Sequence, residues 1–519
     1  MSIFARGNWR CLWWRGAQAQ WLDRCFQVDV RGADGIAAPV NGLTAPTQVE
    51  TASGFGRAIH VKHAGGRMQL ARVCACLAYL ACVVQWITVA GAAPAMVADK
   101  GLAFSIADVP IVLAVAQAMA VAGKAVASHV VDTLSPKPAL IFILVTTSLS
   151  NALFVCGTSV PWFCFCFGLT RFVNASAWVT AKQLMRRLTP AEMQGASMGS
   201  LAFASRLGST AGMFGFSWLL LHGFQWHTLF QSAALLGSIA AAFLVYFVPD
   251  EPLSHEMQRH RSRPRGNDVS FLGICSRRIK TALKTGQHNG IVSVTQSREG
   301  GASDGALKQG WGAFWTMLRR PSVRLMLLTR CFLQLVIEFQ VFIALFGQST
   351  GLSPGLATRL ATWFSAGAGA SVLTAGFLYC ALTPRQRTSF ITALCGMAVL
   401  CLACLAAGAR GPALTALLLL FLGASIGPAF YVPIPEFNVR HPPRSASALE
   451  GCSETITFSF AILFDLYVGG VAGGGEPEAW TPLLWGLTGI MTAGMASMHC
   501  FMRGQEAQGG EAKLGEALP

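Results

Sequence analysis

The stretch Pro249-Asp-Glu-Pro-Leu-Ser-His-Glu-Met-Gln-Arg259-His-Arg-Ser-Arg-Pro-Arg265 decides how the rest of this chain is read. It opens a polar connection from Pro249 to Pro321 that divides one long hydrophobic sequence into halves of similar length. Arg259, Arg261, Arg263, Arg265, Arg277, Arg278, Lys280 and Lys284 stand there against Glu251, Glu256 and Asp268, with Gly, Ser, Asn and Pro between them. Such a composition cannot bury a core and reads as a disordered linker. Its charge also marks a side of the membrane, because short loops rich in Lys and Arg stay cytoplasmic.

Working outward, 53% of the 519 residues are hydrophobic and 12% are charged, and mean hydropathy is +0.49. That composition lies far from a soluble protein, so a lipid bilayer is the expected solvent. In a soluble chain the net charge of +15 would suggest nucleic acid. Here the basic residues fall between apolar runs, so they report membrane orientation and no nucleic acid is expected. Most of the 16 Cys lie inside apolar segments without the paired spacing of a zinc site or disulfide framework. Cys401 and Cys404 form a C-x-x-C, but within a Leu and Ala run they read as small buried hydrophobes.

A crossing helix needs about 20 predominantly apolar residues. Six runs precede the linker, near Leu70 to Pro94, Ile106 to Val131, Ala139 to Cys156, Pro161 to Leu184, Gly195 to Leu221 and Trp226 to Val248. Six follow it, near Arg324 to Gln348, Thr358 to Leu382, Thr388 to Ala407, Pro412 to Pro433, Ser445 to Val471 and Trp480 to Met502. The domain reading is therefore a basic tail or targeting segment at 1–68, a six-helix bundle at 69–249, a linker at 250–321, a second bundle at 322–503 and a tail at 504–519. In the first segment Arg6, Arg10, Arg15, Arg24 and Arg31 precede or surround the first acid, Asp23. An Arg-rich, acid-poor start suits an organellar transit peptide, its scarcity of Ser argues against one, and an interfacial helix or a cytoplasmic tail fits as well.

Loop charge supports six plus six. Lys137, Lys182, Arg186, Arg187, Arg385, Arg387, Arg440 and Arg444 share the linker's side, whereas the opposite side has little beyond Lys100, Arg359 and Arg410. Both termini are then cytoplasmic, or on the equivalent face of an organelle. The halves also echo each other, with Trp226-His-Thr-Leu-Phe230 and Trp480-Thr-Pro-Leu-Leu484 opening the two sixth helices. The fold class is all-α: a polytopic membrane protein of twelve transmembrane helices in two six-helix bundles related by pseudo-two-fold symmetry. This is a parallel-repeat transporter architecture.

Several motifs carry a family resemblance. Gly168-Leu-Thr-Arg171-Phe-Val-Asn174-Ala-Ser-Ala177 is similar to the fourth-helix motif of the major facilitator superfamily, with Asn for the usual Gln and Ala for Gly. Gly199, Gly208 and Gly212 keep the spacing of its fifth-helix antiporter motif, but Met213 stands where Pro is expected. Between helices two and three, Lys124 and Asp132 occupy plausible positions of the loop signature, with Thr133 and Ser135 in place of Arg and Gly. Lys eight residues before Asp also resembles the organophosphate exchangers of the superfamily. The resemblance implies a gate of Lys124, Asp132, Arg186 and Arg187; the competing reading of Asp132 is an ordinary turn residue.

Ionisable residues at mid-helix give an independent signal, since a charge at the bilayer centre costs about 2.5–3.5 kcal/mol on insertion scales. Arg171, Asn174, Trp178 and Lys182 fall in one stripe at helical spacing, and Arg330, Gln334 and Glu338 in another. Arg206 lies mid-way along the fifth helix, and Glu450, Glu454, Thr457 and Asp465 line one side of the eleventh. Arg171, Asn174, Arg206, Arg330, Gln334 and Glu338 are accordingly the candidate substrate-binding residues. Each also has a structural reading, as a partner in an ion pair bracing two helices. Arg171, Arg206 and Arg330 outnumber acids placed at similar depth, which favours an anionic solute, while Glu338 or Asp465 is placed to carry a coupling proton.

The expected function is a secondary active transporter moving a small polar solute by alternating access, with a proton or counter-anion as the coupled species. The alternatives are a transporter-like receptor or scaffold without flux, and a membrane-embedded lipid-modifying enzyme. The enzyme is disfavoured because no zinc-binding His-Glu-x-x-His, nucleophile elbow or phosphate loop occurs. No catalytic residue, metal or cofactor is expected.

Overall fold

The computed structural model describes residues 52–133, 135–189, 194–250, 316, 318–408, 411–439, 443–472 and 476–516. Most of the N-terminal segment and nearly all of the linker therefore lie outside the described residues, as does the side chain of Asp132. In the first half the helices are α1 (Ala52–Ala98), α2 (Asp108–Thr133), α3 (Pro136–Phe154), α4 (Val160–Asn174), α5 (Ala177–Leu188), α6 (Gln194–Leu221) and α7 (Trp226–Phe247). In the second they are α8 (Pro321–Glu338), α9 (Ile343–Ser349), α10 (Pro354–Ala381), α11 (Pro384–Ala406), α12 (Pro412–Tyr431), α13 (Pro433–Val439), α14 (Pro443–Ala472) and α15 (Trp480–Glu516). Proline supplies the first turn of α3, α4, α8, α10, α11 and α12, where its fixed φ suits a helix and its missing N–H costs nothing.

Three expected spans are not single helices. The fourth is interrupted at Ala175 and Ser176, where Ser176 Oγ donates to Val173 O at 2.9 Å and Asn174 donates to Cys82 O at 2.8 Å. Side-chain bonds to nearby backbone compete with helix continuation. The seventh passes through a 3₁₀ turn at Phe339–Val341 and bends by 52° between Pro321–Val341 and Ile343–Ser349. The tenth is broken at Val432, between Tyr431 and Pro433. Two other spans run further than their apolar stretches: α1 begins at Ala52 and α15 continues to Glu516.

Packing repeats between the halves. The second span packs on the fourth (α2 on α4) as the eighth does on the tenth (α10 on α12), and the third on the sixth (α3 on α7) as the ninth does on the twelfth (α11 on α15). Across the boundary α2 lies against α14 and α6 against α10, so each half offers its second and fifth spans to the fifth and second of the other. This exchange is the pseudo-two-fold relation in terms of contacts.

The repeat extends to a close crossing within each half. A Cβ on Gly123 of α2 would collide with the backbone O of Phe172 in α4, and one on Gly367 of α10 with the backbone O of Leu420 in α12. Absence of a side chain lets these backbones touch, which is the usual means of tight association where helix pairing gains nothing from escaping water.

Among the described residues six helices are long and apolar enough to cross a membrane alone, and the bent pair of the seventh span adds another.

Gly367→Leu is expected to destabilise the protein by about 1–3 kcal/mol or more through overpacking, whereas Gly376→Leu, where an added Cβ meets nothing within 4 Å, should be tolerated. Thermal unfolding of the two purified variants in one detergent checks this; equal midpoints would show that the crossing does not set stability.

Candidate functional site

Near the middle of the molecule a chain of side-chain hydrogen bonds joins the two halves. Arg171 of α4 donates to Gln117 Oε1 of α2 at 2.5 Å, and Gln117 Nε2 donates to Glu338 Oε1 of α8 at 2.5 Å. Gln334, one turn earlier on α8, donates to the other oxygen of Glu338 at 3.2 Å. Gln117, Gln334 and Glu338 are all buried. The Arg171 guanidinium also lies over the Trp86 ring of α1, 4.5 Å from its centroid, an arrangement worth about 0.5–2 kcal/mol for a partly desolvated cation.

A second cluster sits beside the first, nearer the linker face. Lys124 Nζ of α2 is 2.6 Å from Glu454 of α14 and 3.8 Å from the Phe458 ring centroid. Arg330 reaches the same carboxylate from α8, with Nη2 3.5 Å from Glu454 Oε1 and Nη1 donating to Ser453 Oγ at 2.6 Å. Arg330 Nε is buried without a hydrogen-bond partner. Further along, Lys182 of α5 pairs with Glu450 of α14 at 3.1 Å, and Arg206 of α6 donates to the Tyr431 hydroxyl of α12 at 2.6 Å.

Asp465 of α14 differs from every acid above. It is fully buried and neither carboxyl oxygen has a hydrogen-bond partner. Burying such a group without a donor is costly.

The two ends of the boundary are held differently. On the face opposite the linker, side chains bond directly to the other half's backbone: Thr358 to Gly91 O at 3.0 Å, Gln348 to Pro94 O at 3.1 Å and Ser217 to Gly355 O at 2.9 Å. Toward the linker face the bridges are between long side chains, Lys124 with Glu454 and Lys182 with Glu450. Between them, at the bend of the seventh span, Gln340 donates to Ser209 at 2.8 Å and to Ser365 at 2.9 Å.

The expected site residues are thus brought together selectively. Arg171, Gln334 and Glu338 share one network. Arg330 joins Glu454, and it is Gln334, not Arg330, that bonds Glu338 along the stripe read on the seventh span. Asn174 spends its amide on the backbone of α1, and Arg206 stands apart against Tyr431. Of the gate residues, Lys124 is bound to Glu454, Arg186 and Arg187 are exposed, and the side chain of Asp132 is outside the described set. Gln85 is buried away from this network, donating to Ser148 at 2.7 Å and accepting from Thr147 at 2.5 Å. The residue missed was Gln117: an amide within an Ala-rich run was its signal, but neutral amides do not stand out as charges do. Among the described residues no cluster suits a metal ion.

The chain matches the family model of the Major Facilitator Superfamily over residues 75–474, and it belongs to that superfamily. Among solved structures it resembles the nucleoside transporter NupG, with 16% identity and a TM-score of 0.55 over 84% of this chain and 98% of that one. It also resembles a D-xylose-proton symporter, with 13% identity and a TM-score of 0.56 over 82% of this chain and 96% of that one. At these identities the likeness speaks for the fold. Comparison with curated protein sequences finds no match. By its family the protein is a multi-pass integral membrane protein and a secondary active transporter of a small-molecule solute.

Removing one partner of a buried ion pair costs about 3–5 kcal/mol because a charge is left uncompensated. Lys124→Gln and Glu454→Gln should therefore each lower thermal stability more than the double variant Lys124→Gln with Glu454→Gln. A double-mutant cycle on the purified protein checks this, and purely additive losses would show that the two groups do not interact.

Proposed function

We propose that the solute binds between the halves against Arg171, Gln117, Gln334 and Glu338, flanked by Trp86 and Phe458. The observation carrying this reading is the hydrogen-bonded chain from Arg171 in one half to Gln334 in the other. Its groups are partnered by side chains, so a solute with hydroxyl or amide groups can take over those bonds as the halves separate. Rocking of the halves about this site would expose it to each face in turn.

The site's charge supports a neutral, hydroxyl-rich solute. Lys124, Arg171 and Arg330 face Glu338, Glu454 and Asp465, three cations against three acids. Arg206, one of the cations behind the expected anion preference, sits outside this set. Nucleoside and D-xylose, the solutes named for the two similar structures, are hydroxyl-rich too. An organic anion is the second reading, favoured by the buried, unpartnered Nε of Arg330, since a guanidinium can bind carboxylate or phosphate through paired hydrogen bonds.

Asp465 is the proposed carrier of a coupling proton, with Glu338 as the second candidate. A carboxyl group with no protein donor, at the boundary that must part during transport, gains and loses a proton as water reaches and leaves it. The linker and both termini are placed on the cytoplasmic face, on the strength of Lys137, Lys182, Arg186, Arg187, Arg385 and Arg387. Glycosylation acceptors introduced near Arg259 should stay unmodified, and their modification would reverse this topology.

Proteoliposome uptake screened over sugars, nucleosides and organic anions tests the whole reading, and absence of flux with every class would favour a receptor or scaffold. With the transported solute, Arg171→Ala is expected to lower uptake at least tenfold and Arg171→Lys to retain part of it, at equal protein per vesicle. Asp465→Asn should abolish proton-driven accumulation while leaving solute exchange intact. Normal uptake by Arg171→Ala would move the binding site elsewhere, and normal accumulation by Asp465→Asn would remove that residue from coupling.

A further inference from the structure

On the face opposite the linker, α10 and α12 stand apart and leave a crevice of about 460 Å³. Leu356, Leu360 and Trp363 of α10 form one wall, and Ala413, Leu417 and Leu420 of α12 the other. Leu356, Trp363 and Leu417 are more than 40% exposed, which in a membrane protein means that they meet lipid. The walls converge with depth. Gly367 and Gly423 bring the two backbones into contact, about 12 Å further along α10 than Arg359 at 1.5 Å per residue. The crevice is therefore a tapering slot, open outward and closed at its inner end.

Among the described residues Arg359 is the only charged one lining it. The residue is exposed and has no hydrogen bond or ion pair with any described residue. Its depth follows from helix length. α10 has 28 residues, or about 42 Å, which overhangs a hydrocarbon core of about 30 Å by about 6 Å at each end. Arg359 is the sixth residue of α10, about 7–8 Å from its start, and so lies at the boundary between headgroups and acyl chains. It is also out of place by charge, on the face the sequence leaves poor in Lys and Arg. Membrane orientation explains cations on the linker face but not this one.

We infer that this slot binds one anionic phospholipid, its phosphate held by the Arg359 guanidinium and an acyl chain lying between α10 and α12. A planar guanidinium matches phosphate oxygens through two parallel hydrogen bonds. The apolar walls, tapering away from that cation, provide for a chain attached to the headgroup. The volume lies in the range of about 300–1,000 Å³ typical of small-ligand sites. The site is separate from the central network and does not depend on which solute is carried. It places a lipid contact on α10, which also forms part of the boundary with the other half.

The test uses the purified full chain in mixed micelles with phosphatidylglycerol, phosphatidylcholine or dodecyl phosphate, counting retained ligands by native mass spectrometry. The wild-type protein is expected to retain one phosphatidylglycerol at concentrations at least tenfold below those needed for phosphatidylcholine. Arg359→Gln should remove that preference and Arg359→Lys should keep part of it. Ala416→Leu, which narrows the slot without touching the charge, should weaken retention of both diacyl lipids; its unfolding midpoint in detergent alone reports whether the fold is intact. Equal retention of the two lipids by the wild-type protein, unchanged preference in Arg359→Gln, or retention of dodecyl phosphate but not of phosphatidylglycerol would each overturn the assignment.

Discussion

Charge buried at membrane depth is costly without a partner, and in this protein several of the partners stand in opposite halves. Lys124 of the first half meets Glu454 of the second at 2.6 Å, and Lys182 meets Glu450 at 3.1 Å. The neutral amide of Gln117 links Arg171 to Glu338 in the same way. Neither half is electrostatically complete alone, so parting the halves requires water, a proton or a solute to replace what each group loses. Opening the boundary is thereby tied to the species that can enter it.

Each bundle is held together by packing that repeats in the other. Gly123 and Gly367 draw neighbouring backbones together at equivalent places in the two halves, and the same pairs of spans pack in each. Irregular backbone is concentrated elsewhere, at Ala175 and Ser176 in the fourth span and at Phe339–Val341 in the seventh. Those breaks follow Arg171 and Glu338, two members of the central chain. Non-helical backbone at this depth is tolerated only where protein or a cavity satisfies it, and in the fourth span Ser176 Oγ donates to the Val173 carbonyl. The continuous helices thus carry the central hydrogen-bond chain, and the interruptions border it.

Among the described residues the two ends of the boundary are bridged by different kinds of bond. Away from the linker the halves meet through single hydrogen bonds to backbone carbonyls at Gly91, Pro94 and Gly355, which require close approach. Toward the linker they are spanned by lysines and carboxylates, whose length lets them bridge helices that stand further apart.

Much of this was legible in the sequence because it depends on local quantities. Runs of about 20 apolar residues, loops of one charge sign and the polar interruption after Pro249 determine twelve spans, two bundles and a central linker. Mid-span Arg171, Arg330, Glu338, Glu454 and Asp465 were visible too, since each charge violates an apolar run. Partnership was not. Helical spacing put Arg330 on the stripe of Glu338 and a loop signature put Lys124 with Asp132, yet Arg330 and Lys124 converge on Glu454, more than a hundred residues from either. Gln117 carried no charge to mark it, and at the breaks in the fourth and seventh spans Asn174 and Gln340 bond to other helices. Sequence by itself determined what must be satisfied inside the membrane; only the tertiary structure decided by what, because the choice among distant partners rests on how the two halves pack.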